Sequence, residues 1–179
     1  MKLLIVSDIH GSGYYADKIK KLVEEEKPDK LILLGDLYYH GPRNPLTLEY
    51  APKEVADILN SHKDTILAVR GNCDAEVDQM ISEFKIEENI RLEIGGKKFF
   101  FTHGHKYNID FWPNEEFDVL VYGHFHTGFI KEKDGKLFVN SGSISLPKNN
   151  TKNSYLIIDD NNVILKDVDG NVIDKIIFR

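Results

Sequence analysis

The opening stretch Met1-Lys2-Leu3-Leu4-Ile5-Val6-Ser7-Asp8-Ile9-His10 carries the decisive reading. A short, continuous apolar run ends abruptly in Asp-x-His. Such a run is what a strand covered on both faces needs. It is too short for a secretory h-region, ends on a charge and is followed by no small-residue cleavage site. The pattern recurs at Lys30–Leu34, which leads into Gly35-Asp36, and at Thr65–Val69, which leads into Arg70-Gly71-Asn72-Cys73-Asp74. Between these runs, Tyr14–Glu26 places Ala16, Ile19, Leu22 and Val23 on one stripe and is stopped by Pro28. Pro52–Asn60 does the same with Val55, Ile58 and Leu59. The spacing predicts a βαβαβ run, hence a mostly parallel sheet covered by helices.

Further along, the punctuation changes. Gly95-Gly96 separates Arg91–Ile94 from Lys97–Thr102, and Asp134-Gly135 separates Phe129–Lys133 from Lys136–Asn140. Both read as hairpins. Val119–Tyr122 is a further buried strand. Ser154–Asp159, Val163–Val168 and Val172–Phe178 are joined by Asn/Asp/Gly turns. This half is expected to be largely antiparallel, and two sheets packed face to face with helices outside would bury both halves in one core. The 179 residues suit one domain, 1–179, without disulfide or structural metal. Tyr38–Ala51 and Tyr107–Glu116 are the long loops, where function often resides.

Composition narrows the classes. A net charge of -6 argues against a stable nucleic-acid partner, and no run approaches a membrane span. The lone Cys73 forbids an internal disulfide and suits a reducing, cytoplasmic location. Apolar and aromatic residues on the β-rich half leave room for contacts between copies, and a dimer or tetramer is expected.

Five segments concentrate potential metal ligands at predicted strand ends: Asp8-Ile9-His10, Gly35-Asp36, Gly71-Asn72-Cys73-Asp74, His103-Gly104-His105 and Gly123-His124-Phe125-His126. Taken singly, each is ordinary; an Asp after a strand usually caps a turn. Together they offer carboxylate, imidazole and amide oxygen, a mixture suited to Mn²⁺, Zn²⁺, Fe or Ni²⁺ rather than Ca²⁺. The set is large enough for two ions, which can clamp both oxygens of a phosphoryl displacement. A carboxylate has two oxygens with which to bridge them.

The order D-x-H, G-D, G-N-x-D, H, G-H-x-H resembles the calcineurin-like metallophosphoesterase superfamily. The stretches His40–Pro45, Val69–Asp74, Glu76–Met80 and Asn140–Ser145 resemble its small bacterial YfcE-type phosphodiesterases. The resemblance implies an α/β fold, an αββα sandwich of two mixed sheets flanked by helices. It implies hydrolysis of a small phosphodiester by water activated between two divalent ions, Mn²⁺ foremost. It assigns Asp8, His10 and His126 to one ion and Asn72, His103 and His124 to the other, with Asp36 shared. Phosphomonoesterase or pyrophosphatase activity, or a non-catalytic scaffold like the retromer subunit of this fold, are the rival readings.

One position departs from many superfamily members. Cys73 stands where they carry the His that protonates the leaving group, and a thiol is poorly matched to that task. His105 and His40 are the candidates to replace it. Arg43 is the candidate to neutralise a substrate phosphate, whereas Arg70 is expected to fix its turn and His62 to sit at a surface or cap position.

Overall fold

A computed structural model describes residues 1–178. The first strand, β1 (Leu3–Val6), lies at the centre of a seven-stranded sheet and is wholly buried. On one side it pairs in parallel with β2 (Lys30–Leu33), which pairs with β3 (Ile66–Val69) and through it with the two-residue β4 (Ile86–Glu87). Those two residues carry no periodic signal, so β4 is not legible in the sequence. On the other side β1 takes an antiparallel partner from far along the chain, β10 (Ser154–Ile158), followed by β11 (Asn162–Asp167) and β12 (Val172–Ile177).

The second sheet has five strands in the order β5-β6-β7-β9-β8: β5 (Ile90–Ile94), β6 (Lys97–Phe101), β7 (Val119–Tyr122), β8 (Phe129–Lys133) and β9 (Lys136–Asn140). Both expected hairpins are present and antiparallel. However, β6, β7 and β9 run parallel at the centre. Turn chemistry reveals a hairpin but is silent on how hairpins dock, so the expectation of a largely antiparallel half holds only for the hairpins and the C-terminal strands.

Alternation along β1 explains the layering. Leu4 and Val6 face Ala16, Ile19 and Leu22 of α1 (Gly13–Glu26) and Val55 and Leu59 of α2 (Pro52–Asn60). Leu3 and Ile5 face the other way, onto Phe99, Phe101, Val119, Val121 and Val139 of the second sheet. Fully burying a large apolar side chain stabilises by about 1.5–3 kcal/mol. The result is a sandwich of two mixed sheets, as expected, with the long helices on the outside of the first. The outer face of the second sheet is covered differently. Phe100, Leu120, Tyr122 and Phe138 pack under Phe117, Tyr107, Ile109 and Trp112, all from the loop between β6 and β7. Asn108 holds that loop in shape: its Nδ2 donates to the Gly104 carbonyl (3.0 Å) and its Oδ1 accepts from Asp110 N (2.9 Å). Among the described residues, no helix is long and apolar enough to cross a membrane.

Candidate metal centre

The C-terminal ends of β1, β2, β3, β6 and β7 meet at one edge of the sandwich, stitched by backbone bonds. Asp8 N donates to the Gly35 carbonyl, His10 N to the Asp36 carbonyl and Gly123 N to the His103 carbonyl. The turns leaving these strands are sharp. Asp8, His10, Asp36, His124 and His126 all have positive φ, between 50 and 64°. Non-glycine residues adopt this conformation at a cost, and such strain collects at functional sites. Close approach is allowed by glycine. A Cβ on Gly71 would overlap Asp36 Oδ1, and one on Gly123 would overlap Ser7 Oγ.

Seven side chains converge there. His126 Nε2 lies 3.1 Å from Asp8 Oδ1 and 3.3 Å from His10 Nε2. His103 Nε2 lies 3.0 Å from Asn72 Oδ1, 3.2 Å from His124 Nδ1 and 3.3 Å from Asp36 Oδ2. Asp36 Oδ2 is also 3.6 Å from His10 Nε2, so this one oxygen faces both groups. Its other oxygen accepts the backbone N–H of Cys73 (2.8 Å). Asp36 is therefore the residue placed to be shared between two ions.

The hydrogen bonds around the cluster fix which atoms are free. Nδ1 of His10, His103 and His126 each face a backbone carbonyl, of Tyr39 (2.8 Å), Leu34 (2.6 Å) and Leu146 (2.6 Å). A carbonyl only accepts, so each Nδ1 carries a proton and each Nε2 is the ring atom left to face the cluster. Asp8 Oδ2 accepts from Ser7 Oγ (2.6 Å) and His124 N (2.9 Å). Asp8 Oδ1 is buried without a donor. Lone pairs of two imidazoles and a carboxylate directed at one another repel unless a cation lies among them. That arrangement fits metal ions: Asp8 Oδ1, His10 Nε2 and His126 Nε2 in one group, Asn72 Oδ1, His103 Nε2 and His124 Nδ1 in the other.

The electrostatics agree. Burial alone would raise the pKa of Asp8, but the imidazoles of His10 and His126 outweigh it and hold the carboxyl well below the usual range. Asp36 is lowered in the same way by His103. Burial opposes a charge on His103, yet Asp36 and Asp8 raise it to about 9, while burial and the His103 charge push His124 down to about 4. Without metals, a proton on His103 Nε2 sits among the acceptors a cation would use. Burial and then the Asp36 charge push the Cys73 thiol up to about 12, so it stays protonated beside the cluster.

Several supporting residues were not legible as such. Asp74 coordinates nothing; its carboxylate accepts from Asp36 N (2.8 Å), Leu37 N (2.8 Å) and Gly71 N (2.7 Å), tying the turn after β2 to the turn after β3. Ser143 and Ser145 both donate to the Asp8 carbonyl, at 2.9 and 2.7 Å. The motif Asn140–Ser145 could be quoted from the sequence, but its serines lie 135 and 137 residues along the chain from their target and only folding names it.

A cavity of about 530 Å³ opens over the cluster, lined by Asp36, Asn72, Cys73 and three of the histidines together with Tyr39, Pro42, Arg43 and Lys148. His105 is exposed and does not line this cavity, but its ring lies 5.4 Å from that of His103 and 6.2 Å from that of His124. Loss of water around the ring and the charge on His103 hold its pKa below the ordinary value. His40 is not on the cavity wall. Its ring stands edge-on to Tyr39 and Tyr50, and its carbonyl accepts from Asn44 Nδ2 (2.8 Å). Arg70 N donates to the Glu87 carbonyl, and His62 precedes a short 3₁₀ turn, Lys63–Thr65; neither lines the cavity.

A profile of the calcineurin-like phosphoesterase superfamily domain matches residues 1–162. The chain belongs to the calcineurin-like phosphoesterase superfamily. Within it, the chain is 42% identical over 164 residues to Phosphodiesterase YfcE of Escherichia coli strain K12, covering 89% of this chain and 88% of that protein. The solved structure of YfcE, a phosphoesterase from E. coli, superposes with a TM-score of 0.96 at 35% identity and full coverage of both chains. Vps29 of Entamoeba histolytica shares the fold at a TM-score of 0.65 and 22% identity over the whole of both chains.

Proposed function

We propose that this member of the superfamily is a dinuclear metal-dependent phosphodiesterase acting on a small diester. The observation that carries the reading is the inward set of donors, above all the buried Asp8 Oδ1 without a hydrogen-bond donor beside imidazole Nε2 atoms turned inward by their Nδ1 bonds. Two divalent ions held there would supply a water acidic enough to attack phosphorus near neutral pH and would offset charge on the phosphoryl oxygens. Asp8, His10 and His126 would hold one, Asn72, His103 and His124 the other, with Asp36 common to both. The nitrogen and oxygen donors suit Mn²⁺ first and admit Zn²⁺, Fe or Ni²⁺.

The protein's own contribution is rigidity and proton placement. Asp74, Ser7, Ser143 and Ser145 fix the ligands before substrate arrives. Of the two candidates for delivering a proton to the leaving oxygen, His105 has its ring against those of His103 and His124, and His40 braces the loop. The diester reading over a monoester draws on the likeness to YfcE over most of both chains. The presence of all seven donors favours an enzyme over a scaffold. Lone Cys73 suits the cytoplasm, and the exposed Val172, Ile173 and Ile177 of β12 suit burial in a dimer or tetramer.

Chelation should abolish hydrolysis of bis(p-nitrophenyl) phosphate and added Mn²⁺ should restore it. Asp36→Ala should remove turnover even with Mn²⁺ in excess. Full activity after exhaustive chelation, or in the Asp36 variant, would refute the dinuclear assignment.

A further inference from the structure

The cavity over the cluster carries two full cations on two different loops. Arg43 comes from the long loop after β2. Lys148 follows β9, and its backbone N–H donates to the His126 carbonyl at 2.9 Å. Both side chains are exposed. Several long cations elsewhere are engaged: Lys2 and Lys166 with Glu26, Lys152 with Asp167, Arg91 with Glu115. Among the described residues, Arg43 and Lys148 have no ion-pair or side-chain hydrogen-bond partner, which is also true of surface cations such as Lys18, Lys21 and Lys53; these two differ in lining the cavity over the donor set.

Their position compounds the imbalance. Two divalent ions in the donor set would already exceed the charge of Asp8 and Asp36. The scissile group of a diester carries one negative charge, so it does not call for two further cations. The cavity, about 530 Å³, is also larger than one phosphate requires, and Tyr39 and Pro42 give it a wall for an organic group. We propose that Arg43 and Lys148 form a second anion subsite. The preferred substrate class is then a phosphodiester that carries a further phosphate or carboxylate, separated from the scissile phosphorus by an organic spacer. Arg43 supplies a planar fork for two oxygens and Lys148 a point charge from the opposite loop. This rests on the phosphodiesterase reading above.

The test uses the Mn²⁺-loaded protein and two esters with the same leaving group, thymidine 5′-(p-nitrophenyl phosphate) and its 3′-phosphorylated counterpart. Wild-type protein should favour the 3′-phosphorylated ester in kcat/KM by about tenfold or more, the scale of one charge-assisted contact. Arg43→Ala and Lys148→Ala should each lose several times more on that ester than on its parent. Calorimetry gives the second readout: thymidine 3′,5′-bisphosphate should bind more tightly than thymidine 5′-monophosphate, and the gap should close in the double variant. Equal losses on both esters, or a wild type indifferent to the 3′-phosphate, would overturn the subsite. Absence of turnover on either ester would instead sink the phosphodiesterase reading. The bisphosphate titration would still judge the subsite, a gap that closes supporting it and the lack of a gap overturning it.

Discussion

Loading the metal-free protein with Mn²⁺ at pH 7 should release at least one proton per chain, and the proton comes from His103. Its Nδ1 is committed to the Leu34 carbonyl, and its Nε2 faces Asn72 Oδ1, His124 Nδ1 and Asp36 Oδ2 within 3.3 Å. Burial works against a charge there, but Asp36 and the charge of Asp8 hold the imidazolium to a pKa of about 9. That lies above the working pH, so the ring is protonated in the metal-free protein. A cation binds Nε2 only when that proton leaves, so apparent affinity for this group should fall about tenfold for each pH unit below 9. Stability follows with a definite sign. A histidine pKa raised from 6.5 to about 9 stabilises the metal-free fold fully below 6.5, and the benefit is lost as pH rises through about 9. The amount is on the order of 3 kcal/mol. The lowered Asp36 is the other half of the same pair: its share is present above the ordinary carboxylate pKa, lost only in acid, and is not to be added again. Isothermal titration in two buffers of widely different ionisation enthalpy counts the protons. Stoichiometric Mn²⁺ binding at pH 7 with no proton release would refute the reasoning. Cys73→Ser should leave the count unchanged, since that thiol is pushed up to about 12 and is not the source.

Asp74→Ala strands three buried N–H groups, each costing about 1–3 kcal/mol unmade; with some relaxation, urea denaturation should show a loss of about 3 kcal/mol or more. A loss under about 0.5 kcal/mol would show that water replaces the carboxylate. Gly123→Ala drives a methyl into Ser7 Oγ and Asp8 Oδ2, and should weaken Mn²⁺ binding by about 10–100-fold while the circular dichroism of the fold persists; unchanged affinity contradicts the tight packing. His105→Ala should slow diesters with alkoxide leaving groups by about 100-fold or more and p-nitrophenyl diesters far less, whereas His40→Ala should show no such dependence on the leaving group. Equal rates for wild type and His105→Ala on an alkyl diester clear His105 of the role.

The local chemistry of this chain was legible before folding. Strand and helix periods, the stops at Pro28 and the Gly-Gly and Asp-Gly turns are short-range signals, because backbone preference and burial act residue by residue. They located every strand except β4 and both long helices, and they placed Asp8, Asp36 and Asn72 just beyond strand ends. The order of the ligand motifs carried the family resemblance and with it the division into two groups.

What remained for tertiary structure was everything set by distance across the chain. That β10 lies against β1, so that the C-terminal strands finish the first sheet, depends on which edges are left open after the sheets meet. That a loop bearing Trp112, rather than a helix, covers the second sheet depends on apolar residues without a period to betray them. At the centre itself, the identity of the donors was in the sequence. Which oxygen of Asp36 faces both groups, which nitrogen of each histidine is free and why Asp8 Oδ1 is without a partner were not. Those follow from the N–H of Cys73, the carbonyls of Leu34, Tyr39 and Leu146, and the hydroxyl of Ser7, and such partners have no sequence signature because any residue can supply a backbone group.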